Sequence, residues 1–565
     1  MGSGIYSLGT RAMFASQAML DTTAHNISNV NTPGYSRQQV ELATESGMYT
    51  GAGFFGRGVR IATVTRSTNE FLIKEANVNT ASSAADQTRL GKLEQLEKIL
   101  PTGENGLGYA ATQFLNTFVD VSNQPQDMSA RQVALSRAQE WANRVNTAAK
   151  QLDQQQAGVI MDMQTSVSQV NSLTQKIAGL NQQIAVYNGS GHTANDLLDQ
   201  RDNLIKDLNK LVQVNTVEAD DGSLSVFMGG GQVLVLSNNA QTLRVERDAA
   251  DPTKGRVALV TNAALNETRV LASSQITGGA LNGLLRFQDE DLSNTRAELN
   301  QFVAQFANKV NEIHSYGMTP DGAYGDPIFS NTGSPSTLKL NLSNPKDLAA
   351  ASPLIAYAST ANTGTASVGG VSMTGTLSVP PGSTMPLTVE FLTVGAGLEY
   401  KIYPSSGPVP ATSTPWVPGT ALDGSSFDPP FALNLNGAPA PGDTLTIQTI
   451  TASTLPGNNG NALAMLALRD QAFVSIDSGL GNATVTDAYA QMIGNLGVIV
   501  QDGRTSASIS RTLEDSSNQT LSSTAGVNLD EEASRLIQFQ QSYQAAAKVL
   551  QVAQTVFDTL LNITR

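Results

Sequence analysis

A chain of 565 residues is long enough for several domains, each with its own core. A formal net charge of −14 disfavours nucleic acid and anionic membrane surfaces, because both are held by basic residues, and the absence of cysteine excludes thiol catalysis, thiolate metal sites and disulfides. Charged residues make up 15% of the chain against about 25% in an average globular protein, so the surface is polar through Asn, Gln, Ser and Thr rather than ionic.

Ile5, Leu8, Ala12, Ala15 and Met19 recur at three- and four-residue spacing, with Leu20 and Ile27 widening the stripe, and predict an amphipathic helix over about the first 28 residues. The stretch Asn26, Ile27, Asn29, Asn31, Thr32, Pro33, Gly34, Tyr35 ends it: Pro33 turns Thr32 away from helical angles, and Gly34 can take a positive φ. From Tyr35 to about Phe71 the alternation of Val59, Ile61 and Val64 predicts strands or a long hairpin. Gly51, Gly53 and Gly56 spell GxGxxG, but no helix pattern follows, so a turn is expected and not a dinucleotide site.

Helical patterns follow from about Ser83: Leu90, Leu93, Leu96 and Leu100 up to Pro101, then Phe114, Leu115 and Phe118. The longest run starts at Ser129 and passes Trp141, Met163 and Ile177 to a break at Asn188-Gly189-Ser190-Gly191. A shorter helix is expected from Asn195 to about Val212, its cluster Asp196, Asp199, Arg201, Asp202 reading as a solvated face with local ion pairs. Hairpin signals fill 214–277, a helix returns from about Ala280 to His314, and 335–460 carries short β runs such as Leu387–Phe391 and Thr444–Ile447, expected as a β-sandwich or barrel-like insertion. Helix resumes after Asn461 through Leu463, Leu466, Phe473, Tyr489, Ile493, Leu496 and Val500.

The last helix is predicted from Leu529, with Leu536, Phe539, Tyr543, Ala546, Leu550, Ala553, Phe557 and Leu560 at strict three-four spacing, a coiled-coil seam. Asn528 and Glu531 resemble a capping box. At 1.5 Å per residue the two end helices are roughly 36 and roughly 50 Å long, and each is the natural partner of the other. The fold class is therefore α+β and multidomain: an elongated helical rod or bundle formed by paired N- and C-terminal helices, with β-rich domains inserted mid-chain. Residues 1–45 with 525–565 form a terminal coiled-coil core; 46–213 with 278–320 and 461–524 a helical rod; 214–277 with 321–354 a small β domain; and 355–460 an outer β insertion.

The turn NISNVNTPGYSRQ, the segment GRGVRIATVTRSTNEFL and the closing GVNLDEEASRLIQFQQSYQAAAKVLQVAQTVFDTLL together resemble the axial proteins of the bacterial flagellum. Within them the helical middle, in ARQVALSRAQ, NDLLDQRDNLIKDLNKLV and DGSLSVFMGGGQVLVL, is similar to the hook-associated protein 1 (FlgK) family; His25 stands where many relatives carry Asn. The resemblance weakens between about 355 and 460. It implies a structural subunit at the hook–filament junction, with copies of itself, hook protein, hook-associated protein 3 (FlgL) and, on the C-terminal segment, the export chaperone FlgN as partners.

No basic segment leads into an apolar run at the N-terminus, and no stretch approaches 18 apolar residues, which by itself reads as cytoplasmic without membrane insertion. The resemblance implies instead export without a cleaved signal to an extracellular flagellum. His25, His192 and His314 are scattered with no HExxH, GxSxG or P-loop, so no catalysis, cofactor or metal is expected. The assembly interface is expected at the end-helix stripes named above, ordered by neighbouring copies. Alternatives are hook protein or another axial subunit, an adhesin or carbohydrate-binding protein acting through 355–460, and, last, a wall hydrolase in that insertion.

Overall fold

The computed structural model describes residues 2–50, 53–189, 194–375, 385–475 and 481–563. Gly51, Ser190, Gly191, His192 and Arg565 lie outside the described residues, as do the side chains of residues 2–4 and 560–563, Leu560 among them. The chain divides into two compact units: Met1–Glu94, Gln156–Glu290 and Val500–Arg565, and Gln95–Gln155 with Asp291–Ile499.

In the first unit, α1 (Gly2–Ser28) is followed by a long hairpin. Strands β1 (Gln38–Thr44) and β4 (Val59–Arg66) form its stem, and β2 (Met48–Thr50) and β3 (Gly53–Phe55) its tip. No helix follows the GxGxxG letters. α2 (Glu70–Ile99) begins well before the predicted Ser83, because Asn69 caps it: its carboxamide oxygen accepts the backbone N–H groups of Phe71 and Leu72 at 3.1 and 3.2 Å. After its first turn, residues 76–84 are mostly Ala, Asn, Ser and Thr, which form helix without a strong apolar stripe.

α3 (Leu107–Asn116) and α4 (Phe118–Asn123) precede the unbroken α5 (Met128–Gly189), which Asp127 starts by accepting the Ser129 N–H at 2.7 Å. α6 (Asn195–Leu211) then leads into two small antiparallel sheets. One has the order β5-β6-β7-β8, from Val214–Glu218, Leu224–Met228, Val233–Leu236 and Asn239–Ala240; the other has the order β11-β10-β9, from Glu267–Val270, Gly255–Asn262 and Leu243–Arg247.

Both sheets hang from asparagines of α5. Asn171 donates to Leu243 O and accepts from Leu243 N, extending an edge strand as a backbone amide would. Fully buried Asn181 donates to Leu224 O and Ser237 O and accepts from Leu224 N. A buried carboxamide used this fully is costly to remove, since each backbone group it leaves unpaired carries a desolvation penalty of about 1–3 kcal/mol.

α7 (Gly279–Arg286) belongs to the first unit and is separated by a π-helical turn from α8 (Ser293–Ser315) of the second, the chain passing from one to the other between Glu290 and Asp291. Trp141, fully buried, stacks against Phe306 and Phe329 at centroid distances of 4.6 and 5.0 Å, with Phe114 and Phe118 completing the aromatic core. After the two-residue pair β12 (Phe329–Ser330) and β13 (Lys339–Leu340) comes a β-sandwich.

Its five-stranded sheet has the order β14-β21-β16-β17-β18, from Leu354–Ala358, Thr444–Thr449, Leu387–Val394, Gly397–Pro404 and Thr414–Pro415. Its three-stranded sheet has the order β15-β20-β19, from Ser367–Met373, Phe431–Asn436 and Leu422–Gly424. Alternate residues such as Leu387, Val389, Phe391, Leu433 and Ile447 point into the shared core, the period-two pattern of half-buried strands.

α9 (Gly460–Ala467) stops before Phe473, which lies outside any helix: Val474 pairs with Ala483 in an isolated bridge instead. α10 (Val485–Ala525) and α11 (Leu529–Ile563) end the chain, and within the first unit Gly503 of α10 lies against Leu93 of α2.

Replacing Asn181 with Leu is expected to lower the protection of the β6 amides by about 2–4 kcal/mol in native-state hydrogen exchange, with little change in the second unit. Unchanged β6 protection would show that the sheet does not depend on this carboxamide.

Candidate assembly interface

The two end helices pack antiparallel along a seam whose α1 side is mostly small residues. On α1 the row facing α11 is Ile5, Gly9, Ala12, Ser16, Met19, Thr23, Asn26, with Gly9, Ser16, Thr23 and Asn26 buried and Ala12 and Met19 half-buried. On α11 the row is Glu532, Leu536, Phe539, Tyr543, Ala546, Leu550, Ala553, all buried or half-buried. Each row alternates four and three residues, the spacing of a coiled-coil seam. A Cβ on Gly9 would stand 2.9 Å from Leu550 Cγ, so glycine lets the backbones approach here. The pairs Gly9–Leu550 and Asn26–Glu532 lie 17 residues apart along α1 and 18 along α11, which fixes the register.

The large apolar residues fall partly beside this seam. Leu8 packs over Gly58 at the hairpin stem and Arg11 pairs with Glu45 at 3.1 Å, so that face of α1 meets the hairpin. Ala15 is buried, whereas Ile5 and Leu8 stay largely exposed, and Phe557 is 53% exposed where its row reaches the level of the first turn of α1.

The seam is closed at one end by the turn. Asn29 N and Nδ2 both donate to His25 O, capping the last carbonyls of α1; Thr32 donates to Asn29 O and Oδ1; Gly34 takes φ 74°; and Tyr35 N returns to Thr32 O. Ile27 is half-buried, Asn31 is exposed, and Pro33 O accepts from Asn203 of α6.

At the centre sits Asn26, 1% exposed. Its Nδ2 donates to Gln38 O (2.9 Å) and to Glu532 Oε2 (3.0 Å), while its Oδ1 accepts from Gln38 N (2.9 Å) and Tyr35 OH (2.8 Å). All four of its hydrogen-bonding positions are used, and one carboxamide ties the end of α1, the start of β1 and the start of α11 together. The equally buried Glu532 is paired on its other oxygen with Arg37 Nε at 2.9 Å, and Arg37 N donates to Ala525 O at the end of α10. Asn528 caps α11 through the N–H groups of Asp530 and Glu531; the Glu531 carboxylate turns instead to Arg37.

Tyr35 also bonds His25 Nδ1 at 3.0 Å. Because Asn26 Oδ1 can only accept, the phenol proton points there, and His25 must carry its proton on Nδ1 to donate to Tyr35 Oη. Burial first, then the nearby Asp196, Asp199 and Glu532, push the Tyr35 phenol above its ordinary range, which keeps that proton in place.

The acidic cluster on α6 departs from the expected solvated face. Asp199 and Arg201 are buried, and their partners are distant in sequence. Asp199 accepts from Ser36 N and Arg66, Asp202 from Arg66, and Asp196 from Gln38 Nε2, while Arg201 donates to Gly222 O. Burial raises the Asp199 carboxyl against the pull of Ser36 and Arg66. Burial also works against the Arg66 charge, yet Asp202 and Asp199 hold its guanidinium above its ordinary value. This cluster therefore pins the turn and the hairpin to α6. Among the described residues no group of three or more His, Cys, Asp or Glu side chains could hold a metal ion, and no helix is long and apolar enough to cross a membrane.

Known sequence families fall on these same elements. The flagellar hook-associated protein FlgK helical domain matches residues 93–329, the flagella basal body rod protein family residues 8–35, and the flagellar basal body rod FlgEFG protein C-terminal family residues 518–563. The flagellar hook-associated protein 1 of Salmonella typhimurium is 29% identical over 97% of this chain and 98% of its own, and that of Bacillus subtilis 26% identical over 98% and 96%. The chain belongs to the flagellar hook-associated protein 1 family. The structure of the flagellar hook junction protein FlgK from Burkholderia pseudomallei, 22% identical, shares the fold of this family member over 79% of this chain and 99% of that one, with a TM-score of 0.66. The two rod-protein matches cover α1 with its turn, and the end of α10 with α11, the very segments that Asn26 joins.

Replacing Asn26 with Ala is expected to cost the paired end helices about 3 kcal/mol, because Gln38 and Glu532 lose buried partners, whereas Asn31→Ala at the exposed crest stays within about 0.5 kcal/mol. Thermal melts followed by helical circular dichroism separate the two, and equal effects would remove Asn26 from the centre of the closure.

Proposed function

We propose that α1 and α11 are the part of this subunit that enters the flagellar axis, and that their outer faces are completed by neighbouring subunits. As a hook-associated protein 1 family member the chain is a structural, non-enzymatic protein of the hook–filament junction, extracellular, and it assembles with other axial subunits. The observation that carries the axial role is an apolar surface left open on both end helices. Ile5, Tyr6 and Phe14 are exposed on α1, and Ile537, Val549, Val552, Val556 and Phe557 on α11. Exposed large apolar side chains mark a protein-binding face, and the three-four spacing of Val549, Val552 and Val556 suits it to further helices.

Residues 1–45 with 525–565 are then the axial part. The expected domain bounds shift accordingly: 46–66 is the hairpin, the helical rod is drawn from the remainder of 46–213 with 278–320 and 461–524, 214–277 is a small β domain within the first unit, and 321–354, expected to join it, belongs to the second unit and leads into the outer insertion 355–460. The neighbours we assign are copies of the chain laterally, hook protein on one side and hook-associated protein 3 (FlgL) on the other, with the chaperone FlgN holding the C-terminal segment before export. Of the stripes expected to form this interface, Ile5, Leu8 and Phe557 keep open surface for neighbours, whereas Ala12, Met19, Leu536, Phe539, Tyr543 and Leu550 lie in the α1–α11 seam within the chain and Ala15 is buried; Leu560 we assign to the interface as the next step of the Phe557 row.

Two substitutions separate folding from assembly. Phe557→Asp changes an exposed residue, so the free chain should keep its stability within about 0.5 kcal/mol and yet fail to incorporate. Leu550→Asp sets a carboxylate against Gly9 and should weaken the α1–α11 pair as well. Incorporation of Phe557→Asp at the normal level would contradict the assigned face. Deleting the gene from its host tests the junction role: hooks should persist, filaments should vanish, and unpolymerised filament protein should appear in the medium. Normal filaments, or loss of the hooks too, would overturn it.

A further inference from the structure

A stretch of the second unit without helix or strand is fully buried: Leu348, Ala349, Ala350, Ala351 and Ser352 are each at most 4% exposed. It runs straight into β14 at Leu354, so it forms the root of the β-sandwich. Backbone buried outside secondary structure needs partners from elsewhere, and four elements supply them. Arg131 of α5 donates to Leu348 O. Asn461 of α9 donates through Nδ2 to Ala349 O at 2.7 Å and through its backbone to Ala350 O at 3.1 Å. Met318 exchanges both backbone bonds with Ala351, and Asn458 accepts from Ser352 N at 2.7 Å.

The Ala349 N–H donates to His314 Nε2 of α8 at 2.8 Å, and the other ring nitrogen, Nδ1, bonds Asp326 O at 2.6 Å. A backbone N–H donates to Nε2 only if that nitrogen carries no proton. His314 is thus the neutral Nδ1–H tautomer, and it is the one titratable group among the strap's partners named above whose lone pair the strap requires. The site is built for close approach: a Cβ on Gly325 would stand 2.6 Å from His314 Nδ1, and one on Gly317 would collide with Asn461 Nδ2.

We propose that His314 is an acid-operated latch, its neutral ring locking the 347–352 strap at the root of the β-sandwich and its protonation unlocking it. An imidazolium would present N–H to N–H at Ala349 and leave both buried donors unpaired. The charged groups that reach the ring are Arg131 from α5, which opposes the positive form, and Asp326 from the segment after α8, which favours it; α9 contributes the uncharged Asn461. Burial outweighs both and holds the ring down to about 4 from its ordinary 6.5. The sign follows from proton counting: between those values the opened strap binds a proton that the closed one does not, so closure is complete above about pH 6.5 and weakens as pH falls toward 4.

The test is hydrogen exchange of the Leu348–Ala351 amides in the full chain at pH 7 and pH 4, corrected for intrinsic exchange, in the natural protein and in His314→Gln. Glutamine can accept from Ala349 and donate to Asp326 O without titrating. The natural protein should lose roughly a hundredfold of strap protection at pH 4 while the variant loses little. Parallel losses in both, or full protection of the natural strap at pH 4, would overturn the latch. Should the variant fail to fold, side-chain 15N spectra of the three histidines decide the matter in the natural chain. The latch requires His314 to stay Nδ1–H down to near pH 4 while strap protection falls steadily from about pH 6.5 and levels off near pH 4; a ring midpoint near 6.5 with an unchanged strap would refute it.

Discussion

A buried carboxamide has two donors and two acceptor positions, and in Asn26 all are occupied by groups from separate parts of the chain. Leaving any of them empty away from water costs free energy, so the end of α1, the first residue of β1 and the first turn of α11 are stable only together. Residues 26 and 532 thereby bring the two ends of the chain to one place. Around this point the turn, the Arg37–Glu532 pair and the Arg66–Asp199–Asp202 cluster on α6 add polar contacts with defined geometry. Such contacts specify one arrangement where apolar packing alone would tolerate several.

Away from this closure the forces change in kind. Beyond Asn26 the α1 side of the seam is mostly small, with Thr23, Ser16, Ala12 and Gly9 beside Met19, so the larger Leu536, Phe539, Tyr543 and Leu550 of α11 are only half-buried against it. The larger apolar residues Phe14, Val549, Val552 and Phe557 keep about half of their surface open to solvent in the isolated chain. The result is a helix pair fastened at one end and weakly held at the other, with its apolar area directed to neighbours. A subunit that assembles with other axial subunits can bury this open area against them.

Periodicity made the helices legible because a 3.6-residue repeat of large apolar residues is written locally, and the 62-residue α5 was readable from end to end on that basis. What was not legible has physical causes. The α11-facing row of α1 passes through Gly9, Ser16 and Thr23, which carry almost no hydropathy signal, so the stripe through Leu8 and Ala15 stood out instead. The start of α2 was hidden because the Ala, Asn, Ser and Thr residues of 76–84 separate Phe71–Ile73 from the stripe at Leu90, although Asn69 is a recognisable cap. Asp199 and Arg201 looked like a solvated face because their partners Arg66, Ser36 and Gly222 are remote or unremarkable in sequence. The role of Glu532 could have been found by carrying the four-three row back one step from Leu536, where a carboxylate in an apolar seam demands a buried partner. In the sandwich, strands such as Leu387–Val394 were visible from alternation, whereas the sheet order with β21 between β14 and β16 depends on pairings that no local pattern records.

The most direct measurement is residue-level hydrogen exchange along α1 and α11 in dilute, unassembled full-length chain at neutral pH. The account predicts a gradient: amides at Thr22–Ser28 and Arg535–Tyr543, next to the closure, protected about a hundredfold more than those at Ile5–Phe14 and Ala547–Thr559. Uniform protection along both helices would mean that the small-residue seam is stable without neighbours, and would contradict the claim that assembly completes it.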